Sequence, residues 1–395
     1  MTGPLDGIRV LDLSRLMAGP LSAMMLGDMG AEVIKVEPTS GEDARFIPPF
    51  VADESALFTS LNRNKRGVAL DFTKPEGLDI LYRLIDRSDV VIHNFRPDIR
   101  DKLGLSYDLV RERKADIILC SLSAFGETGP YRTKPGVDLI FQGMGGVMSV
   151  TGAPDGSPMK AGPTVADATA GMLLAYGATL ALFARERGRG GQHLRIALLD
   201  GVLTLQIPLA GLYFATGVDP GRLGNRSPFT APNAAFPTKD GTQVVTTIPS
   251  NKFFRKFADA VGRPDLLDDP RFDTNPHRMA NSDALDAEIA PIFLTRTSGE
   301  WIDILEKADI PVGPVNQYTQ VFSDPQILHN EMVIEREHPT VGLLRMVGIP
   351  VKLDGTPGEV RRVAPTLGQH SDEVLAELGV ATQDLVRLRA EGLLA

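Results

Sequence analysis

The chain has 395 residues, 43% of them hydrophobic and 23% charged, with a formal net charge of −9. This length exceeds one ordinary core and predicts two domains, and the composition excludes a disordered chain. The acidic balance excludes a general nucleic-acid binder, while leaving room for a local basic pocket that takes a phosphorylated cofactor.

Met1 to Arg9 lacks a basic start followed by an apolar stretch, so no signal peptide is expected. Short β-rich runs then alternate with helical patterns. Strands are predicted over Arg9–Leu13, Glu32–Glu37, Val68–Phe72, Val90–Asn94 and Ile117–Leu122, and helices over Leu21–Gly30, Pro75–Ser88 and Tyr107–Lys114. Pro75 opens a first turn without losing a hydrogen bond, Glu76 suits the positive helix end, and Leu78, Leu81, Leu84 and Ile85 give an apolar face. Alternation of this kind predicts a parallel sheet covered by helices on both faces. The one cysteine, Cys120, excludes an intramolecular disulfide and fits a reducing, cytoplasmic compartment; in its apolar run it reads as a buried, inert thiol.

Gly171 to Ala184 is apolar but short of the roughly 20 residues that span a bilayer, and reads as a buried helix with no membrane partner. After a turn at Gly188–Gly191 comes a strand, His193–Leu199. Residues 221–240 are rich in Gly, Pro and Asn and read as a long loop. A strand at Gln243–Ile248 and helices at Phe253–Val261, Ala284–Leu294 and Glu300–Lys307 suggest a second, smaller domain, followed by a strand at Leu344–Pro350 and a helix at Ser371–Leu378. The expected layout is a large domain over 1–200, a linker over 201–225, a small domain over 226–325, and a C-terminal segment over 326–395 that returns to the large domain.

Walker, HExxH, CxxC and GxSxG patterns are absent, and the six histidines are not paired with other ligands at metal spacing. Gly143-Met144-Gly145-Gly146-Val147-Met148 has Met where a dinucleotide fingerprint needs its last Gly, and it follows a helical pattern. No metal, nicotinamide or flavin is therefore expected. The densest segment runs from Ser121 to Gly171 and includes Phe125-Gly126-Glu127-Thr128-Gly129-Pro130-Tyr131, Gly136-Val137-Asp138 and Val165-Ala166-Asp167-Ala168. Such glycines let backbone approach backbone or ligand. Thr164 to Asp167 fits a capping-box pattern, so local physics reads Asp167 as a helix-capping acid; a helix N-terminus would also favour the ionised carboxylate a nucleophile needs. Arg63, Lys65 and Arg66 read locally as a solvated basic turn.

Taken in order, Gly7 to Leu13, Ala18-Gly19-Pro20, Gly30 to Glu37, Asn62 to Arg66, Asn94-Phe95-Arg96-Pro97, the VAD at 165–167 and Leu367 to Leu375 resemble a family III (CaiB–BaiF type) CoA-transferase over most of the chain. The resemblance implies an α/β fold: a Rossmann-like large domain with a parallel sheet, a smaller α/β domain, and an open-ring subunit interlocked with a second copy as a homodimer. It puts the catalytic nucleophile on Asp167, which would pass through a mixed anhydride to an aspartyl-CoA thioester, with coenzyme A as substrate and no other cofactor. Carried over by motif, Leu70 and Phe95 flank the adenine with Asn94 beside them. Lys102 and Arg45 answer phosphates, and Arg15, Leu16 and Ala18 line the pantetheine path.

Racemases of the same fold place His directly before the acid matched by Asp138; here that residue is Val137, which cannot exchange a proton. Formyl-CoA:oxalate transferases place Gln where this chain has Met17. An apolar Met17 argues for an acid larger than oxalate, a succinate-like dicarboxylate, with Arg226 as partner for its far carboxylate and Asp138 positioning substrate or nucleophile. An acyl-CoA racemase, a CoA lyase or hydrolase, and a non-catalytic acyl-CoA-binding protein stay open as alternatives.

Overall fold

The computed structural model describes residues 3–395; Met1 and Thr2, part of the stretch read above for a leader, lie outside the described residues. The described residues form two compact units, one of residues 3–147, 160–217 and 326–395, the other of residues 148–159 and 218–325.

The first unit is built on six parallel strands, β1 (Arg9–Asp12), β2 (Glu32–Glu37), β3 (Lys65–Ala69), β4 (Val90–His93), β5 (Ile118–Ser123) and β6 (Gln192–Ala197). Their order is β3-β2-β1-β4-β5-β6. Neighbouring residues feed opposite cores: Leu11, Val91 and Leu119 enter one, while Val10, Val90, Ile118 and Cys120 enter the other. Strands buried on both faces need apolar side chains at every position, which is why they read as continuous apolar runs. The order reverses between β1 and β4, and in such sheets a ligand crevice opens beyond the carboxyl ends of those two strands. The loops leaving them, residues 13–17 and 94–96, are therefore placed by topology at the crevice.

Three helices frame it. Helix α1 (Ala18–Asp28) follows β1; α2 (Asp138–Met144) and α3 (Val165–Ala184) lie in the crossover from β5 to β6. Gly171 lets α1 and α3 meet, since a Cβ there would fall 2.6 Å from the Ala18 carbonyl oxygen. Helix α3 departs from the buried helix expected. Ala170, Leu174 and Ala178 are buried, but Met172, Tyr176 and Phe183 are 47%, 62% and 57% exposed. It also starts earlier than the apolar run, so that Val165–Arg189 is long and apolar enough to cross a membrane, yet one side of it is core.

Strand β3 begins three residues before the expected Val68, and the reason corrects the solvated-turn reading. Arg63, Lys65 and Arg66 are buried. Arg63 pairs with Asp28 at 2.7 Å and Lys65 with Asp12 at 2.8 Å, while Arg66 joins Glu32, Glu373 and Glu377. Charges enter a sheet only when paired in this way. The C-terminal segment closes the unit: Leu394 bridges to Leu70, and the Ser371 hydroxyl accepts from the Ala69 amide.

The second unit packs a three-stranded antiparallel sheet (Asn233–Pro237, Gln243–Thr247, Val312–Pro314) against helices Asn251–Ala260, Ser282–Phe293 and Ser298–Lys307 around Phe236, Phe257, Phe293 and Trp301. Its boundaries differ from those expected. The first unit keeps the chain as far as Gly217, and residues 148–159 belong to the second. There the Gly224 amide donates to Gly152, and the Arg222 guanidinium to the carbonyls of Ala153 and Gly156.

Candidate active site

Asp167 is the third residue of α3, and the Thr164 capping box does not form. The Thr164 hydroxyl instead donates to the Met17 sulfur at 2.8 Å. The cap comes from 28 residues away: Asp138 Oδ1 accepts the Ala166 amide at 2.8 Å and, more weakly, the Asp167 amide at 3.4 Å. Asp138 Oδ2 accepts from Gln142 Nε2 at 2.6 Å, and Gln142 Oε1 in turn accepts the Ala161 amide. Asp138 is buried, with one carboxylate oxygen on the end of α3 and the other on Gln142.

That arrangement frees the Asp167 side chain. Among the described residues nothing donates a hydrogen bond to its carboxylate, and it faces a cavity of about 270 Å³. Burial, with the Asp138 charge adding to it, pushes the Asp167 carboxyl up to about 6. The helix N-terminus was expected to favour ionisation; it is outweighed by lost solvation and a neighbouring carboxylate. The result is a carboxylate ionised at neutral pH but raised in free energy and basicity, a better nucleophile than an exposed one.

Met17, Ala18, Asn94, Phe95, Gly136 and Val137 line the same cavity. Ala18 is the first residue of α1, and the opening turn of a helix carries amides with no carbonyl partner inside it. A second cavity, about 370 Å³, is walled by Val36, Leu70, Phe72 and Phe95. Arg15 and Phe95 line both, so the two cavities share a wall at the sheet's reversal point. Leu70 and Phe95, expected beside the adenine, both line this second cavity. Phe72, 6.3 Å from Phe95 between ring centres, is a third apolar wall that the motifs did not single out.

Other expected residues are placed differently. Asn94 clamps the loop beside it: its amide accepts from the Arg15 N–H at 3.0 Å and donates to the Arg15 carbonyl at 2.8 Å. Arg45, expected at a phosphate, lines neither cavity: its guanidinium lies 3.6 Å from the Phe58 ring centre and donates to Glu37 and the Pro365 carbonyl. Lys102 is exposed at the end of helix Pro97–Lys102 and lines neither cavity. Arg226, expected as partner for a substrate carboxylate, is in the second unit, where Asp283 and Asp286 pair with its guanidinium at 2.5 and 2.7 Å. The cavity of Asp167 recruits three cations that sequence reasoning missed, Arg96, Arg132 and Lys134. The available signal was two cations between Pro130 and Pro135, on a stretch dense in glycine.

Comparison with known proteins agrees with this geometry. The description CoA-transferase family III matches residues 5–371. A succinate–glutarate CoA-transferase of Agrobacterium fabrum is 38% identical over 95% of this chain and 96% of its own. An acetyl-CoA:oxalate CoA-transferase of Acetobacter aceti is 36% identical over 89% of this chain and 90% of its own. A crystal structure of a CaiB/BaiF family protein from Brucella suis superposes with a TM-score of 0.85 at 35% identity, covering 96% of this chain and all of that one. With a carboxylate held bare above a two-part crevice, and with matches of this extent, the chain belongs to CoA-transferase family III and is an enzyme of the CoA-transferase type.

Proposed function

We propose that the protein transfers coenzyme A from an acyl-CoA to a dicarboxylic acid through a thioester on Asp167. The observation that carries this reading is the Asp167 carboxylate, without a hydrogen-bond donor, facing a cavity that the start of α1 and four cationic side chains (Arg15, Arg96, Arg132 and Lys134) also line. An Asp167 oxygen adds to the thioester carbonyl carbon and the C–S bond breaks. This leaves a mixed anhydride and CoA thiolate. The thiolate attacks the Asp167 side-chain carbon, expelling the donor's carboxylate and forming the aspartyl-CoA thioester. An acceptor carboxylate then attacks that carbon, and the steps run in reverse. Negative charge on the carbonyl oxygen grows in each addition, and the free amides opening α1 are the donors suited to it.

The cations suit the diphosphate and phosphate of CoA, and the cavity walled by Leu70, Phe72 and Phe95 suits its adenine. The acceptor class is supported by the succinate, glutarate and oxalate named for relatives. Val137, 61% exposed at the cavity, offers no second base for racemisation. A homodimer in a cytoplasmic setting belongs to the same proposal. The dimer part is supported by the exposed apolar side of α3 and by Ile207 and Phe214, 66% and 82% exposed, since patches of this kind mark contact surfaces.

Incubating the protein with a pool of acyl-CoA donors and no acceptor, and weighing it intact, tests the reading. A CoA-sized adduct is expected on the parent and not on Asp167→Ala. CoA binding without an adduct from any donor would refute the covalent cycle.

A further inference from the structure

The loop between β1 and α1 carries Arg15, Leu16 and Met17 to the wall of the Asp167 cavity. Backbone holds its ends, Leu13 to the Ile92 carbonyl and the Met17 carbonyl to the Leu21 amide, and side chains hold Ser14 to Leu16 between them. The Ser14 amide donates to Asp12 Oδ1 at 3.0 Å, and the Ser14 carbonyl accepts from Lys35 Nζ at 3.0 Å. Asn94 takes both polar groups of Arg15, and the Leu16 amide donates to Glu42 Oε2 at 2.7 Å. Leu16 sits at φ 68°, a left-handed conformation that a branched side chain rarely adopts and that persists only where its surroundings over-determine it. Lys35 and Glu42 are an ion pair at 2.7 Å with no solvent exposure of either side chain. A buried pair of this kind is a poor source of stability compared with apolar residues of the same volume. Its two free ends, however, meet the backbone on either side of Arg15.

We propose that Glu42, with Lys35, is a positioning residue for CoA transfer: the buried pair sets the Ser14–Leu16 backbone so that Met17 and the first amides of α1 are aimed at the thioester carbonyl beside Asp167. This rests on the reading of Asp167 as nucleophile and adds a role for charges that the covalent cycle does not touch. The local charge balance makes the role separable from folding. Lys65 is paired with Asp12 and Arg45 with Glu37, so removing Lys35 and Glu42 together leaves the remaining buried charges matched.

Two variants test it, Glu42→Gln and the double substitution Lys35→Met with Glu42→Leu. Each is compared with the parent for adduct formation from acyl-CoA without acceptor, for affinity for free CoA, and for melting temperature. Glu42→Gln is expected to slow adduct formation by about 100-fold, the cost of a roughly 1 Å displacement of catalytic groups, with CoA affinity unchanged. The double variant is expected to fold, to melt a few degrees below the parent because the Ser14 carbonyl and the Leu16 amide have lost their partners, and to form adduct slowly for the same reason. Adduct formation at the parent rate in a folded double variant would overturn the proposal. Failure of both variants to fold would overturn it too, by making the pair a stability element. Absence of adduct on the parent refutes the Asp167 reading, and this one with it, whereas equal rates in parent and variants refute only the positioning role.

Discussion

Asp167 is held in a state that costs the fold, and the cost can be recovered by one substitution. An ordinary aspartate titrates at 3.8 in the unfolded chain, and burial beside Asp138 raises this one to about 6. Below pH 4 both states keep the proton and the group is neutral to stability. Between 4 and 6 the native state keeps a proton that the unfolded chain has released, so native stability falls as pH rises. Above pH 6 the full cost is present, about 3 kcal/mol at 1.36 kcal/mol per pH unit. Asp167→Asn retains the shape and removes the charge. It is therefore expected to stabilise the protein by about 3 kcal/mol at pH 7.5, a rise in melting temperature of about 5 °C for a unit of this size. It abolishes adduct formation at the same time. The gain should fade as the pH is lowered and vanish near pH 4. Denaturant titrations of parent and variant at pH 7.5 and pH 4 measure it. A variant no more stable than the parent at pH 7.5, or stabilised equally at both pH values, would refute the reasoning.

The rate of adduct formation in the parent should rise with pH through about 6, because only the ionised carboxylate attacks. Asp138→Asn keeps an acceptor for the Ala166 amide but removes the charge that raises Asp167, so the acid limb of that profile should move to lower pH, read from single-turnover rates across the range. Asp138→Ala leaves the end of α3 uncapped and should cost about 1–2 kcal/mol in denaturant unfolding. Phe95→Leu removes the aromatic face shared by both cavities. It should raise KM for acyl-CoA about 10-fold with kcat little changed, since stacking on the far end of the substrate is the same in ground and transition states.

The residues that resisted prediction share one physical cause. The sheet was legible because strands buried on both faces carry apolar side chains throughout, and Glu32–Glu37 is observed with the bounds read from sequence. Lys65 and Arg66 broke that rule at the start of β3. Their partners Asp12 and Glu32 are 53 and 34 residues away, and a charge reads as solvent-facing until its partner is placed beside it. The same holds at the site. Thr164 has the local pattern of a cap, but the cap is Asp138, brought in by a helix that precedes it by the length of a glycine-rich loop. Arg45 and Arg226 look like free cations in one dimension and are neutralised in three. Local physics alone assigned Asp167 to helix capping, and only the order of family motifs marked it as a nucleophile. Because another residue caps the helix, the Asp167 carboxylate is left without a donor of its own, and an unpaired, partly buried carboxylate is what the proposed covalent cycle would use.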